Sequence, residues 1–369
     1  HGLQHQAARA CPIVLTEQAL QESPGETHGT GALVSAWPNL QFPVLLSLYL
    51  LSVATVSQAD LPLPFAPSIK FCGEDLVGAT IVCRSIAAKL HSRRLQKPKS
   101  ELQNTASSSP VVPWSPVTIK TSNLIGTTLI LSVAHIFSGY LSPVFDVLLL
   151  CIAAVGVPLT FAQKFAWLQL LSHLSWVWMG VKILGSRLTP FFPPPFGNGR
   201  WFKVRWRTKW LSWVLGGYYA AVLSCDLLDL VRNQLYEYLV RTAGLPPLSE
   251  LQPESVVAKL ISPGGGDLVA LVVGCIAPCI SAPVFEEVLY RGFLLPTLHR
   301  FMSLRKAVLL HAAIFALLHR DLTIFLPLFL LATMWGWIYV ASGNLIVPIL
   351  IHGMWNSRFF LTSFFAGSY

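Results

Sequence analysis

The sequence predicts an all-α fold, a multi-pass transmembrane helical bundle of about eight spans. Three observations predict it. Charged residues make up only 12% of the 369-residue chain and hydrophobic residues 53%, whereas a soluble domain carries about 25% charge. Several apolar runs approach the roughly 20 residues that a helix needs to cross a bilayer, and the mean hydropathy is +0.58. The basic residues behind the net charge of +9 fall in short segments between apolar runs, as in loops retained on one side of a membrane. The charge therefore points to a lipid bilayer and not to nucleic acid.

Residues 1–122 differ from the rest and read as a targeting, disordered or loosely structured N-terminal region. Residues 33–59 lack Lys, Arg, Asp and Glu. Their densest part, 42–56, is short for a span and equally suits a targeting segment. Residues 83–99 carry Arg84, Lys89, Arg93, Arg94, Lys97 and Lys99, and Ser107, Ser108 and Ser109 follow. A basic, hydroxylated, acid-poor stretch fits an organelle transit peptide or a disordered linker. The chain begins at His1, and its first methionine is Met179, inside an apolar run; the native start is expected to lie upstream.

Residues 123–369 read as the membrane-embedded domain. Candidate spans fall near 124–141, 144–161, 165–184, 210–230, 268–285, 307–318, 323–341 and 345–365. The sixth is short and contains histidines, so it is expected among its neighbours and away from lipid. Pro190, Pro193, Pro194 and Pro195 break any helix between the third and fourth spans. Arg200, Lys203, Arg205, Arg207 and Lys209 then alternate with Trp201, Phe202, Trp206 and Trp210. Such mixtures can bind single-stranded nucleic acid, but aromatic anchors at the headgroup level beside retained basic residues account for them better. A second polar connection covers 241–267, with Pro246, Pro247 and Gly264, Gly265, Gly266.

The seven cysteines are scattered. Cys275 and Cys279 share a helix face, but no second Cys or His cluster completes a zinc motif, so they read as small packing residues.

Three polar constellations, all within 282–356, interrupt the apolar spans. Glu286 and Glu287 adjoin at the end of an apolar run, where each unpaired buried charge costs several kcal/mol. Arg291 lies four residues after Glu287 and can pair with it on a helix. Glu286 then projects roughly 100° away, free to act as a base. Phe315 and His319 share a helix stripe, with His311 on the same stripe and unassigned. His352 and Asn356 lie four apart inside the last span; both can donate to a developing oxyanion, and both can equally join two helices. Three such constellations on separate spans point to one buried site.

At these residues the chain resembles the CAAX-protease and bacteriocin-processing superfamily of intramembrane peptidases. Its paired glutamates followed by arginine are matched by Glu286, Glu287 and Arg291. Its phenylalanine-to-histidine motif is matched by Phe315 and His319, and its histidine-to-asparagine motif by His352 and Asn356. The stretch 191–213 and the wording of the motifs look like plastid members of plants and algae. The resemblance implies about eight helices around a water-filled cavity, in a thylakoid or inner-envelope membrane. It implies Glu286 as general base, with Glu287 as the alternative that shares that role, His319 orienting the water, and His352 with Asn356 stabilising the oxyanion, while Glu287 and Arg291 otherwise support them. A divalent metal such as zinc is a possible cofactor, although two carboxylates and two histidines also suffice to activate water without one.

The function implied is an intramembrane endopeptidase acting on a membrane-associated protein. The alternative is a non-proteolytic scaffold or regulator that binds another membrane protein or complex. A transporter would also place charges in the membrane, but no repeat symmetry or paired broken helices support it.

Overall fold

In the computed structural model the apolar runs form helices that share buried faces. The structure describes residues 30–56, 60–63, 66–95, 112–115, 119–192, 200–206, 210–244, 246, 256–263 and 266–366. Two units divide the chain, His1–Leu40 and Gln41–Tyr369, and the site lies in the second. That unit takes in helical residues on the N-terminal side of the 122/123 boundary read from the sequence.

Helix α1, Thr30–Leu51, ends in a π-helical turn, Ser52–Val56. An antiparallel ribbon of β1, Asp60–Leu63, and β2, Ala66–Cys72, leads into α2, Gly73–Leu95. This ribbon is a small addition to the expected all-α plan. Then follow α3 (Thr121–Tyr140), α4 (Ser142–Ala154), α5 (Phe161–Arg187), α6 (Trp210–Ala243) and the short α7 (Val256–Ile261). Helix α8 runs over Leu268–His299. Helices α9 (Leu304–Leu318), α10 (Phe325–Ser342) and α11 (Ile346–Ala366) complete the bundle.

Five helical stretches among the described residues are long and apolar enough to cross a membrane: Asn39–Val56, Thr121–Ala154, Trp210–Ala243, Leu268–His299 and Phe325–Ser342. The expected count of about eight is therefore not reached by length and composition. Helix α9 has 15 residues, about 22 Å of rise against a hydrocarbon core of about 30 Å. The run expected over 144–161 stops being helical at Ala154. Helix α11 carries His352, Asn356 and Arg358 among its apolar residues, which dilute its hydropathy because they face the protein interior.

Helix starts are set by local chemistry. Thr160 caps α5 by accepting from the Gln163 backbone N–H, and the Gln163 side chain accepts from the Thr160 N–H, a reciprocal capping box. Asp267 caps α8 by accepting from the Ala270 N–H at 3.0 Å. The same carboxylate accepts from the Thr160 hydroxyl at 2.6 Å and the Gln163 amide at 3.1 Å. The starts of α5 and α8 are thereby tied together. At the other end of the bundle, α10 stops at Gly343, whose φ of 64° is the left-handed conformation that glycine adopts at least cost.

Small residues let the helices approach closely, as in membrane proteins generally. A Cβ at Gly180 of α5 would lie 2.1 Å from the Phe285 ring of α8, and one at Gly353 of α11 would lie 3.2 Å from the Cys279 carbonyl of α8. Helix α8 is thus held between α5 and α11. Leu45 and Tyr49 of α1 and Val53 of the π-helical turn after it are buried against α6 and α11. The aromatic residues expected as headgroup anchors divide. Trp206 is exposed, but Trp201, Phe202 and Trp210 are buried. Trp201 and Phe202 pack with Phe191 and Phe293 in one apolar cluster, and their rings fill the interior left by a non-helical segment. Large apolar side chains on α3 and α4, Leu129, Val133, Phe137 and Val147 among them, face outward.

The proline-rich 190–197 and the polar connection 241–267 lie partly outside the described residues, and Ser107–Ser109 wholly so.

Candidate active site

Helix α8 is not a regular α-helix. It contains two π-helical turns, Ala277–Ser281 and Val288–Leu294, of the kind that concentrate at functional sites. The first has a traceable cause. The Ala282 N–H bonds to the Ala277 carbonyl, the i→i+5 register. In that register the Pro278 carbonyl would pair with residue 283, which is a proline without an N–H. The Asn356 amide of α11 fills the gap, with Nδ2 donating to the Pro278 oxygen at 2.7 Å. Asn356 thus closes a backbone defect within the apolar bundle, where an unpaired carbonyl is costly.

The two glutamates sit between the π turns and point in different directions. Glu287 is fully buried, as is Arg291. Arg291 Nη1 donates to Glu287 Oε1 at 2.9 Å, and Nη2 donates to the Ala332 carbonyl at 3.1 Å. The guanidinium carbon also lies 5.3 Å from the Phe315 ring centre and 5.7 Å from that of Trp335, within cation–π range. The i,i+4 pair expected from the sequence is present.

His352 stands between the two glutamates. Its Nδ1 is 3.0 Å from Glu287 Oε1, and its Nε2 is 4.0 Å from Glu286 Oε2. An ionised carboxylate only accepts, so Nδ1 carries a proton and donates it to Glu287. In the neutral ring Nε2 then presents a lone pair. The ring leans on Trp335 at 4.6 Å between centres, which fixes its plane.

Glu286 faces the other way. Its side chain is 22% exposed, and it lines a cavity of about 450 Å³ bordered by α3, α5, α8 and α9. His319 opens onto the same cavity. It is the C-cap residue of α9, where the helix ends and the ring can turn inward. Its Nδ1 donates to the Phe315 carbonyl at 2.8 Å, so the neutral ring again leaves Nε2 as an acceptor. Phe315 lies beneath it at 4.7 Å. Arg320 follows at φ 58°, a left-handed conformation that non-glycine residues adopt at a cost of about 1–2 kcal/mol, and it too lines the cavity.

The six residues singled out in the sequence therefore divide into three groups. Glu286 and His319 reach the cavity. Glu287, Arg291 and His352 form a buried charged network behind Glu286. Asn356 holds α8 at its first π turn. Sequence reasoning missed His135 of α3 and His173 of α5, which line the same cavity as Glu286. Each has a buried ring nitrogen without a protein hydrogen-bond partner, Nδ1 of His135 and Nε2 of His173. The available signal was a single histidine inside each of two otherwise apolar spans, costly unless used. His311 is fully buried with Nδ1 2.5 Å from the Val308 carbonyl and sits away from the cavity lining.

Among the described residues, the cavity's donor atoms do not gather into a group of three. Among the described residues, three Cys, His, Asp or Glu donor atoms come within 4.8 Å of one another at Cys72, Asp75 and Asp226, and this group includes none of the cavity residues. Glu286, His319, His135 and His173 line one cavity without such convergence. The site supports charge-assisted handling of water by side chains: a carboxylate with a free lone pair, histidines that accept or donate, and apolar walls that limit solvent.

Residues 268–358 match the family model described as type II CAAX prenyl endopeptidase Rce1-like. The match contains α8, α9, α10 and most of α11, hence all six residues above. No curated protein and no solved structure matches the chain.

Proposed function

We propose, from the premise that residues 268–358 are a type II CAAX prenyl endopeptidase Rce1-like domain, that this integral membrane protein hydrolyses a peptide bond of a membrane-associated protein by glutamate-activated water. One observation carries the reading. Of two adjacent glutamates, Glu287 is locked to Arg291 and His352, while Glu286 presents its carboxylate to the cavity.

In this reading Glu286 takes a proton from water positioned by His319 Nε2, and the oxygen attacks the scissile carbonyl carbon. The C–N bond breaks as Glu286 returns the proton to the leaving amine. A general base of this kind contributes about 10²–10⁴-fold. His352 protonated on both nitrogens keeps its bond to Glu287 and turns an Nε2–H toward Glu286 and the oxyanion. Asn356 has one amide hydrogen beyond that given to Pro278. Glu287 and Arg291 hold His352 in place. No step in this reading needs a metal-bound group. A plastid membrane is the location we assign, supported by the likeness of the motifs and of 191–213 to plastid members; import of the tagged chain into isolated plastids tests it.

The chain reconstituted in lipid vesicles with a farnesylated CAAX peptide and a non-prenylated membrane peptide tests the reaction, with product masses read directly. The expected result is cleavage of one bond with gain of one water, lost in Glu286→Ala. An uncleaved peptide, with a membrane-protein partner copurifying equally with wild type and Glu286→Ala, would establish the scaffold reading instead.

A further inference from the structure

We infer that Cys72, Asp75 and Asp226 form a binding site for a zinc-type divalent metal, which joins the start of α2 to the middle of α6. The inference is independent of the peptidase reading. The three side chains each place a donor atom within 4.8 Å of the others, and Cys72 Sγ lies 3.8 Å from Asp226 Oδ2. Donors around a tetrahedral zinc, with bonds of about 2.3 Å to sulfur and 2.0 Å to oxygen, stand roughly 3.5 Å apart. The group therefore needs only a small contraction to close on an ion.

The second observation is Asp75 itself. It is 2% exposed. One carboxylate oxygen, Oδ2, accepts from the Cys72 backbone N–H at 2.9 Å, the return half of a capping arrangement at the start of α2. The other, Oδ1, is buried with no hydrogen-bond partner. Leaving a carboxylate oxygen in this state is costly, and the helix start explains only its neighbour.

The local charge is also unbalanced. Arg358 interacts electrostatically with Asp226 and Cys72, but its ion pair is with Glu74, Nη2 to Oε2 at 3.7 Å, and one guanidinium does not balance three carboxylates. Tyr218 and Ser52 donate to Glu74 as well. Among the described ion pairs none involves Asp75 or Asp226. Two carboxylates facing each other beside a thiol are balanced by one divalent cation. The thiol selects zinc-like ions over magnesium or calcium, which prefer all-oxygen sites. Cys72 and Asp226 are only partly buried, which leaves a path for entry and a position for water as a fourth ligand.

The full chain, purified in detergent, stripped with a chelator and dialysed, is titrated with zinc and with cobalt(II). Cobalt reports a thiolate ligand through a sulfur-to-metal charge-transfer band. The expected result is one ion per chain, the cobalt band, and a raised Tm with zinc but not magnesium. Outer-shell changes already weaken metal sites about tenfold or more, so Cys72→Ser and Asp226→Asn should each lose at least that much affinity. Cys72→Ser should also lose the band, whereas Glu286→Gln and Cys279→Ser should keep it. Circular dichroism of the metal-free variants separates lost binding from lost folding; if Cys72→Ser does not fold, a chain that keeps Cys72 and has its other cysteines replaced by serine must still give the cobalt band. No stoichiometric ion in the wild type would overturn the proposal and leave a proton shared between the two aspartates, as would binding that survives Cys72→Ser or a band that depends on Cys279.

Discussion

Glu286 and Glu287 are neighbours in the chain, yet one helical step of about 100° sends them into different environments. Glu287 sits in a network with Arg291 and His352, shielded from bulk solvent. Removing one partner of such a buried pair leaves the other charge uncompensated, at about 3–5 kcal/mol. Arg291→Met is therefore expected to lower stability by that amount in thermal unfolding in detergent, and Arg291→Met/Glu287→Leu to recover part of it. Asn356 makes a separate prediction. Asn356→Ala leaves the Pro278 carbonyl without its donor and should cost about 1–3 kcal/mol. Pro283→Ala restores the missing N–H, so the double variant Pro283→Ala/Asn356→Ala should regain most of the loss. If the double variant is no more stable than Asn356→Ala, the proline explanation of that contact is wrong. The sequence made the Glu287–Arg291 pairing legible, because i,i+4 spacing on a helix is local geometry. It left Asn356 open between joining helices and stabilising an oxyanion, because the proline defect that attracts its amide is on another helix, 78 residues away.

At the scale of elements, the site depends on how α8 is placed against α5, α9 and α11. Asp267 fixes one end by capping α8 while accepting from Thr160 and Gln163 of α5. Those hydrogen bonds, the Thr160 bond foremost, hold the Asp267 carboxyl below the ordinary aspartate range. A carboxyl depressed on folding contributes stability that is present above its unfolded value and is lost as pH falls through its folded value. Wild type should thus lose more stability than Asp267→Asn on acidification below about pH 4, measured as the difference in Tm between neutral and acidic buffer. Equal losses in the two proteins would show that the clamp does not depend on this charge. The existence of most helices was legible from apolar runs, but their joints were not. The stretch Thr121–Ala154 divides near Leu141, and the π turns of α8 follow from proline positions together with tertiary contacts, which periodicity does not record.

Among the described residues, the cavity lined by Glu286 and His319 gives the apolar bundle a polar edge. The chain's low charge and long apolar runs made the membrane class legible. The number of crossings was not, because α5, α9 and α11 spend polar residues or length on the interior. The cavity also brings in His135 and His173 from helices 100 or more residues before Glu286 in sequence order, which no local motif connects. If they help hold substrate, His135→Ala and His173→Ala should each lower kcat/KM about tenfold through KM with little change in Tm; unchanged KM would remove them from the binding surface. The measurement that bears most directly on the account is paired: peptide hydrolysis and thermal stability of Glu286→Gln and Glu287→Gln in the same lipid. The account predicts that Glu286→Gln folds as stably as wild type and loses at least about 10²-fold in kcat, while Glu287→Gln loses stability as well. A Glu286→Gln protein that keeps wild-type hydrolysis, or a Glu287→Gln protein that is as stable as wild type, would contradict it.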